Sequence, residues 1–535
     1  MQHKNKKLIF SILTLLFTVS ICTSCIGDLD VDPIDPNVNQ TFQQDGVFAK
    51  IYAGLALTGQ EGPAGQGDLD GIDEGFSCFV RLTWNLNTLP TDEAICSWND
   101  NGIPELNSVQ WGSANSQING AFARYYFNIT LCNHFLEKTD GMTDEKTRRQ
   151  RAEVRFIRAL NWFYLMDLFG DVVFLDRVTA DLPERILRAD LFNYIIQELT
   201  EAEADMFEPR QAPYYRADKA ANWLLKSRVL LNAEVYIGTA RWLEAAQYAK
   251  RVMDSAYQLT AVYEHLFMAD NNGSSINRAP EEIILPLAAF GQRTRSFGSS
   301  LFLIASTHVV GMPDWGTPTE GWAGNRARES LVNKFFPGGN IPDNAFLSPN
   351  TTGAADRRAL FFIHFETDDD NDDPDRRPEQ INRPSIFKEG LSVRKFRNIR
   401  ADGGVTSDSR FVDMDVPFLR AAEANLTFAE ATLRNNGSLS DALAAVNVIR
   451  IRANAPIFTT LTLDMILDEK AREFYFEGQR RTDLIRFGRF GGSDYNWDWK
   501  GGVQQGTRFN VNYNRFPIPS SALNANENLI QNPGY

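Results

Sequence analysis

The sequence predicts a mainly α protein, a tetratricopeptide-like helical repeat scaffold joined to an irregular half of loops and short strands. Three observations lead there. The stretch from 148 to 169 has no Gly or Pro and carries apolar residues at helical spacing. Two later segments share one pattern of helix, Gly-containing turn and Ala-rich helix. The region from about 270 to 410 is rich in Gly, Pro and Asn and is broken into short apolar runs.

The first residues read as an export signal. Lys4, Lys6 and Lys7 precede an apolar run from Leu8 to Ile21, and small residues Thr23 and Ser24 lead into Cys25. Charge, a short apolar core and small residues before the cut describe a secretory signal. The run falls short of the ~20 apolar residues of a membrane span. A signal peptide over 1–24 and lipidation of Cys25 are the expectation. Ordinary secretion with cleavage nearby is the alternative. Membrane attachment then comes through the lipid alone, which holds well when several acyl chains act together. The following stretch to Asn37 alternates Asp with Pro, which suits neither helix nor strand. It is expected to be an extended tether over 25–37, reaching at most ~3.3 Å per residue.

The chain has 535 residues and a formal net charge of −14. That length buries a large core. The acidic balance disfavours nucleic acid, whose phosphates need Lys and Arg clusters. After Cys25 only Cys78, Cys96 and Cys132 remain, an odd and widely spaced set that fits neither a disulfide scaffold nor a zinc site.

Within the body, Phe156, Leu160, Phe163 and Tyr164 form one helical face, with Arg149, Glu153 and Asp167 mostly elsewhere. Gly170 is a candidate C-cap, and 171–175 turns extended. The first repeat-like segment runs from Asn232 through Gly238 to Ala249, with Ala245 and Ala246 in its second helix. The second runs from Phe428 through Asn436 and Gly437 to Val446, with Ala442, Ala444 and Ala445. Small Ala side chains let paired helices approach closely, as in tetratricopeptide units that stack to build a shared core. Unrelated helical hairpins are the alternative. The expected organisation is an N-terminal helical part over 38–269, a loop-rich insertion over 270–410 and a C-terminal helical part over 411–535. Runs such as Ile283–Leu285 and Leu360–Ile363 read as short strands in the insertion.

Catalytic motifs are missing. The five His, at 3, 134, 265, 308 and 364, are scattered. There is no HExxH, no GxSxG and no phosphate loop. No cofactor is expected. One acidic run, with Asp368, Asp370, Asp372 and Glu379, has the offsets of a calcium loop. Asp373 stands where that loop needs Gly, so a solvated acidic loop is the commoner meaning.

Ala152-Glu153-Val154-Arg155-Phe156-Ile157-Arg158-Ala159 with Phe169-Gly170-Asp171-Val172 resembles the signature helix of the SusD/RagB family of outer-membrane lipoproteins. Further matches are Lys470–Phe474, Glu477–Phe487, Trp497–Gly502, Phe516–Pro519 and the closing Gln531–Tyr535. The resemblance covers essentially the whole mature chain. It departs at Val173, where the family usually has Pro. Glu473 and Glu477, read as one helical turn apart, are too local to grip both sides of a glycosidic bond, and read as structural. Phe474, Phe476 and Leu484 read as packing residues. The Arg480–Arg481 pair and Asp483 read as members of buried ion pairs.

What the resemblance implies is a non-catalytic glycan-binding lipoprotein on the exterior of the outer membrane, with a loop-rich binding half. It implies starch-like α-glucan as ligand and a SusC-type TonB-dependent transporter as partner. Another glycan, a peptide nutrient and glycoside hydrolysis are the alternatives. It also implies an arc of aromatic residues with polar neighbours: Trp98, Phe297 and Trp322 against sugar rings, and Asp73, Arg81 and Asn101 reaching hydroxyls. Phe297 stands where Tyr is expected. Trp315 rivals Trp322 for its position.

Overall fold

Helices dominate, and many begin at a side chain able to hold their free N–H groups. Asn115, Asp144, Asp218, Ser438 and Thr462 each accept from backbone N–H groups in the first turn of the helix that follows. A computed structural model describes residues 41–309, 312, 316, 321–339, 341, 356–362, 365–368, 371–376 and 380–535, the two strands over 365–376 by backbone alone. The chain divides into two units, Met1–Gln44 and Asp45–Tyr535. The signal peptide, Cys25 and the tether lie outside the described residues. Among those residues no helix is long and apolar enough to cross a membrane.

The second unit opens with α1 (Gln44–Ala53), α2 (Phe79–Thr88), strand β1 (Ala94–Cys96), α3 (Ile103–Ser108) and the long helices α4 (Ser116–Lys138) and α5 (Glu145–Phe169). Next come β2 (Val172–Val173), β3 (Arg185–Ile186), α6 (Arg188–Ala202), α7 (Lys219–Leu231), α8 (Ala233–Ile237) and α9 (Trp242–Met253). The irregular stretch holds β4 (Ile283–Leu287), α10 (Ser300–Ala305), β5 (Asn325–Ala327), α11 (Glu329–Phe335), β6 (Phe361–Phe362), β7 (Phe365–Asp368), β8 (Asn371–Arg376) and β9 (Ser392–Val393). Then follow β10 (Val416–Arg420), α12 (Ala421–Arg434), α13 (Leu439–Arg452), α14 (Leu463–Phe474), α15 (Arg480–Arg486) and α16 (Ser520–Ala525).

The repeat-like segments do stack. α9 packs on both α7 and α12, and α13 packs on α12. Ala422, Ala429, Ala442 and Ala445 join Leu426, Val446 and Ile449 in one buried cluster. A methyl group at each Ala position is what lets these helices close up. Gly238 ends the first turn in the left-handed region, whereas Asn436, not Gly437, takes that conformation in the second.

α5 begins at Glu145 behind Asp144, a turn earlier than its Pro-free and Gly-free run suggests, and ends at Gly170. It is not a one-faced surface helix. From Phe156 to Gly170 it is buried all round. Two of its acidic residues are inside and paired: Glu153 accepts from Tyr52 and Arg216, and Asp167 from Tyr236, Arg481 and Thr482. A charge survives burial only with such partners.

The region from 270 to 410 holds short strands as expected, and also α10 and α11. It is pinned to the rest by antiparallel pairing of β5 with β1 and of β4 with β10. Cys78, Cys96 and Cys132 are buried and unpaired. Of the calcium candidates, Asp370 and Glu379 and the side chains of Asp368 and Asp372 lie outside the described residues. The backbones of Asp368 and Asp372 belong to the β7–β8 hairpin. Among the described residues no cluster of three His, Cys, Asp or Glu is disposed to hold a metal.

Candidate glycan-binding site

Two strand-scale contacts assemble the site from distant sequence. β1 and β5 pair with Cys96 opposite Asn325, and beyond the strand ends the Ser97 N–H donates to the Gly324 carbonyl at 2.9 Å. This lays Trp98 beside the 322–324 segment. At the start of α2 the Arg81 N–H donates to the Gly298 carbonyl at 3.1 Å, which brings Phe297 to the same place.

The rings form a continuous arc. Trp98 and Trp322 have centroids 6.3 Å apart at 60°, and Trp322 and Phe297 are 6.3 Å apart at 48°. Trp98 Nε1 donates to the Trp322 carbonyl at 3.3 Å. The Trp322 N–H donates to the Ala305 carbonyl at the end of α10. Gly324 is required by this packing. A Cβ there would lie 2.1 Å from the Trp98 ring, far inside contact distance. All three rings are half-buried, with their remaining surface turned to an open cavity of about 510 Å³.

Arg81 is buried at the floor of the arc. Its guanidinium lies 3.7 Å over the Phe76 ring, 4.9 Å over Phe302 and 5.5 Å over Trp98. Such stacking favours a planar, weakly hydrated cation. One N–H donates to the Gly75 carbonyl at 3.5 Å, and Nε has no partner among the described residues. Burial pulls its pKa down to about 10, so it stays charged at neutral pH.

Acidic groups stand at the rim. Asp73 is exposed and caps a single helical turn, Glu74–Phe76, by accepting from the Phe76 N–H. Glu74 is half-buried and accepts from the Thr58 hydroxyl. Burial, and then the neighbouring Asp73 carboxylate, push its pKa up to about 7. Pro63, Ala64 and the exposed Asp100 complete the wall.

Of the six residues expected here, Asp73, Arg81, Trp98, Phe297 and Trp322 line one cavity, and Asn101 does not. Asn101 is exposed, and its carbonyl accepts from Ser116 and Gln117. Gly102, in the left-handed region, turns the chain into α3 directly afterwards, and Asp100 is the residue that faces the cavity. Trp315 lies outside the described residues. Sequence reasoning missed Glu74 and the Pro63–Ala64 wall. Gly59, Gly62, Gly65 and Gly67 mark that wall as loop, but nothing in it signals saccharide chemistry.

Residues 378–535 match the SusD family, and residues 83–251 match a family described as starch-binding associating with outer membrane. The starch-binding protein SusD of Bacteroides thetaiotaomicron is 44% identical, over 100% of both chains. The chain belongs to the SusD family. A SusD-like protein of Bacteroides ovatus is 25% identical over 74% of this chain and 69% of its own. Among solved structures, the surface glycan-binding protein A of Bacteroides thetaiotaomicron in complex with laminarihexaose superposes with a TM-score of 0.66. It is 17% identical and covers 91% of this chain and 98% of its own. A SusD-like carbohydrate binding protein from Bacteroides fragilis gives 0.68 at 19% identity, with 91% and 98% covered. At such identity these two establish the SusD fold and nothing finer.

Proposed function

We propose that this SusD-family protein captures a starch-like α-glucan at the outer membrane and delivers it, uncut, to a SusC-type TonB-dependent transporter. The carrying observation is the arc of Trp98, Trp322 and Phe297 above Arg81 in one open cavity. Ring faces stack on the apolar faces of sugars, while Arg81, Asp73 and Asp100 offer donors and acceptors to hydroxyls. Asp73 and Glu74 are consecutive on one turn, so the two cannot flank a glycosidic bond from opposite sides. The 44% identity to a protein named for starch binding supports the choice of ligand.

The family description supports association with the outer membrane. Lipidation at Cys25 is the means proposed for it. A shallow, open cavity suits weak binding, roughly −4 to −8 kcal/mol. Affinity electrophoresis of purified protein in gels containing amylopectin, other glycans or none tests the ligand. Retardation by amylopectin with no release of reducing ends is the expected result. Retardation only by another glycan would keep the site and change its ligand. Detergent extraction tests the partner, with co-purification of a transporter barrel expected.

A further inference from the structure

Beyond the arc, α11 contributes Glu329, Ser330 and Asn333 to a second cavity of about 420 Å³, whose far wall is Asn496–Asp498 with Gln380, Gln504 and Gln505. Its walls are latched. Trp499 Nε1 donates to the Ile381 carbonyl at 2.8 Å, and Gln504 Nε2 to Asn382 Oδ1 at 2.8 Å. Trp497 is held by stacking on Phe490, with centroids 6.1 Å apart at 22°, and Lys500 Nζ lies 4.7 Å over its ring.

Three buried polar atoms on lining residues have no partner among the described residues: Trp497 Nε1, Asn333 Oδ1 and Asp498 Oδ1. Trp497 itself is only 3% exposed. A buried donor or acceptor left unmade is costly, so one donor and two acceptors on the residues of a single cavity suit a ligand or the water it displaces. The other Asp498 oxygen accepts from Arg328 at 3.1 Å, which offsets the carboxylate charge. Among the described residues no Lys or Arg lines the cavity, whereas Glu329 and Asp498 do, which disfavours an anion. Hydroxyl groups both donate and accept, and they match this set together with the surrounding neutral amides.

We propose that this cavity is a second binding pocket for a neutral saccharide, reading the same glucan as the aromatic arc. It rests on the reading that the chain takes a glucan. The pockets lie at the two ends of β5: Trp322 precedes the strand and Glu329 follows it. These positions are seven steps apart along the chain, at most about 23 Å when extended, so one polymer held at both sites gains from a high effective concentration.

The indole N–H signals of Trp98, Trp322 and Trp497, assigned through Trp→Phe variants, report each pocket separately during NMR titration with maltoheptaose. The Trp497 signal should move saturably in the parent, and still move in a Trp98→Ala, Trp322→Ala double variant. Asn333→Leu removes an oxygen with no partner among the described residues. It should weaken the Trp497 response about tenfold while leaving that of Trp98 unchanged. Should it fail to fold, Gln504→Ala, on an exposed side chain, takes its place. A Trp497 signal that stays still while Trp98 and Trp322 respond overturns this pocket and leaves the arc intact. So does a Trp497 response that neither variant changes. Silence from all three signals overturns the α-glucan reading, and this pocket with it.

Discussion

The aromatic arc and the C-terminal helices treat charge in opposite ways. At the arc a single buried cation, Arg81, is stacked among rings, while Asp73 and Asp100 stay in solvent. Under α12–α14, charges are packed in bulk. Arg420 binds Glu282, Glu473 and Glu477, Arg452 binds Glu282 and Glu473, and Arg358 binds Asp356, Glu469 and Glu473, with Arg358, Arg420, Glu282, Glu469 and Glu473 buried. Lys395 joins through Glu477. Arg480 binds Asp92, Arg481 binds Asp167, and Asp483 binds Lys470 and Arg486. The difference shows where each part gets its specificity. The scaffold uses exhaustively paired ions to fix how distant segments meet. The site keeps few ions and relies on ring faces, as a neutral ligand requires.

Breaking the ion network should therefore have the largest effect, and on stability rather than binding. Arg420→Met leaves three buried carboxylates short of a partner and should cost about 3–5 kcal/mol, read as a lower urea midpoint with the arc's affinity unchanged in the folded fraction. The network also makes the fold acid-labile. Burial alone would raise the pKa of Glu469, but Arg358, Arg472 and Arg450 hold it down at about 2. A depressed carboxylate contributes stability above its ordinary value of 4.5, and that stability is lost as pH falls toward 2. Urea midpoints measured between pH 7 and pH 3 should fall most below pH 4.5.

Next in size are the rings. Trp98→Ala or Trp322→Ala should each weaken glucan binding by about 2 kcal/mol, as truncation of a central aromatic contact does, with little change in melting temperature. Calorimetric titration with maltoheptaose checks this. If both variants bind as the parent does, the site is elsewhere.

A smaller effect sharpens the comparison, because it disturbs the arc without touching its ligand-facing atoms. In Gly324→Ala the new methyl meets the Trp98 ring, and overpacking of this kind costs about 1–3 kcal/mol. Part of that cost should appear as weaker binding, since Trp98 must shift. A crystal structure of the variant with Trp98 unmoved would remove the close approach as the reason for Gly at 324.

The repeat core was legible because its signal is local. Ala spacing in 442–446 and the breaks at Gly238 and Asn436–Gly437 mark helices that the fold then stacks. The ion pairs of Arg480, Arg481 and Asp483 follow the same logic, since so many charges among apolar residues need partners. Glu473 and Glu477 were misplaced in one respect. α14 ends at Phe474, and Phe476 and Gly478 turn left-handed, so Glu477 lies beyond the helix and is joined to Glu473 through Arg420 and Lys395. The pairing of β1 with β5 could not be read at all. Three-residue strands carry too little alternation to specify register, yet that pairing unites Trp98 with Trp322. The aromatic residues were grouped by the family resemblance and not by their own spacing, and the turn at Gly102 decides between Asp100 and Asn101.

The smallest effect concerns Glu74, an acidic group of the site that titrates near neutrality. Its carboxyl is pushed up to about 7 by burial and by Asp73. A glucan seated in the cavity removes more water from this carboxyl, which disfavours the ionised form further. Binding should therefore raise its pKa, and by linkage the protonated protein should bind more tightly. The sign is fixed by that step: affinity is highest below pH 6 and falls as pH rises through about 7. A change of roughly two- to fourfold between pH 6 and pH 8 is expected, matching a shift of about half a pKa unit. Glu74→Gln, which keeps the shape of the side chain and cannot ionise, should flatten the profile near the level of the protonated parent. A Gln variant with the same pH dependence as the parent would remove Glu74 as the titrating group.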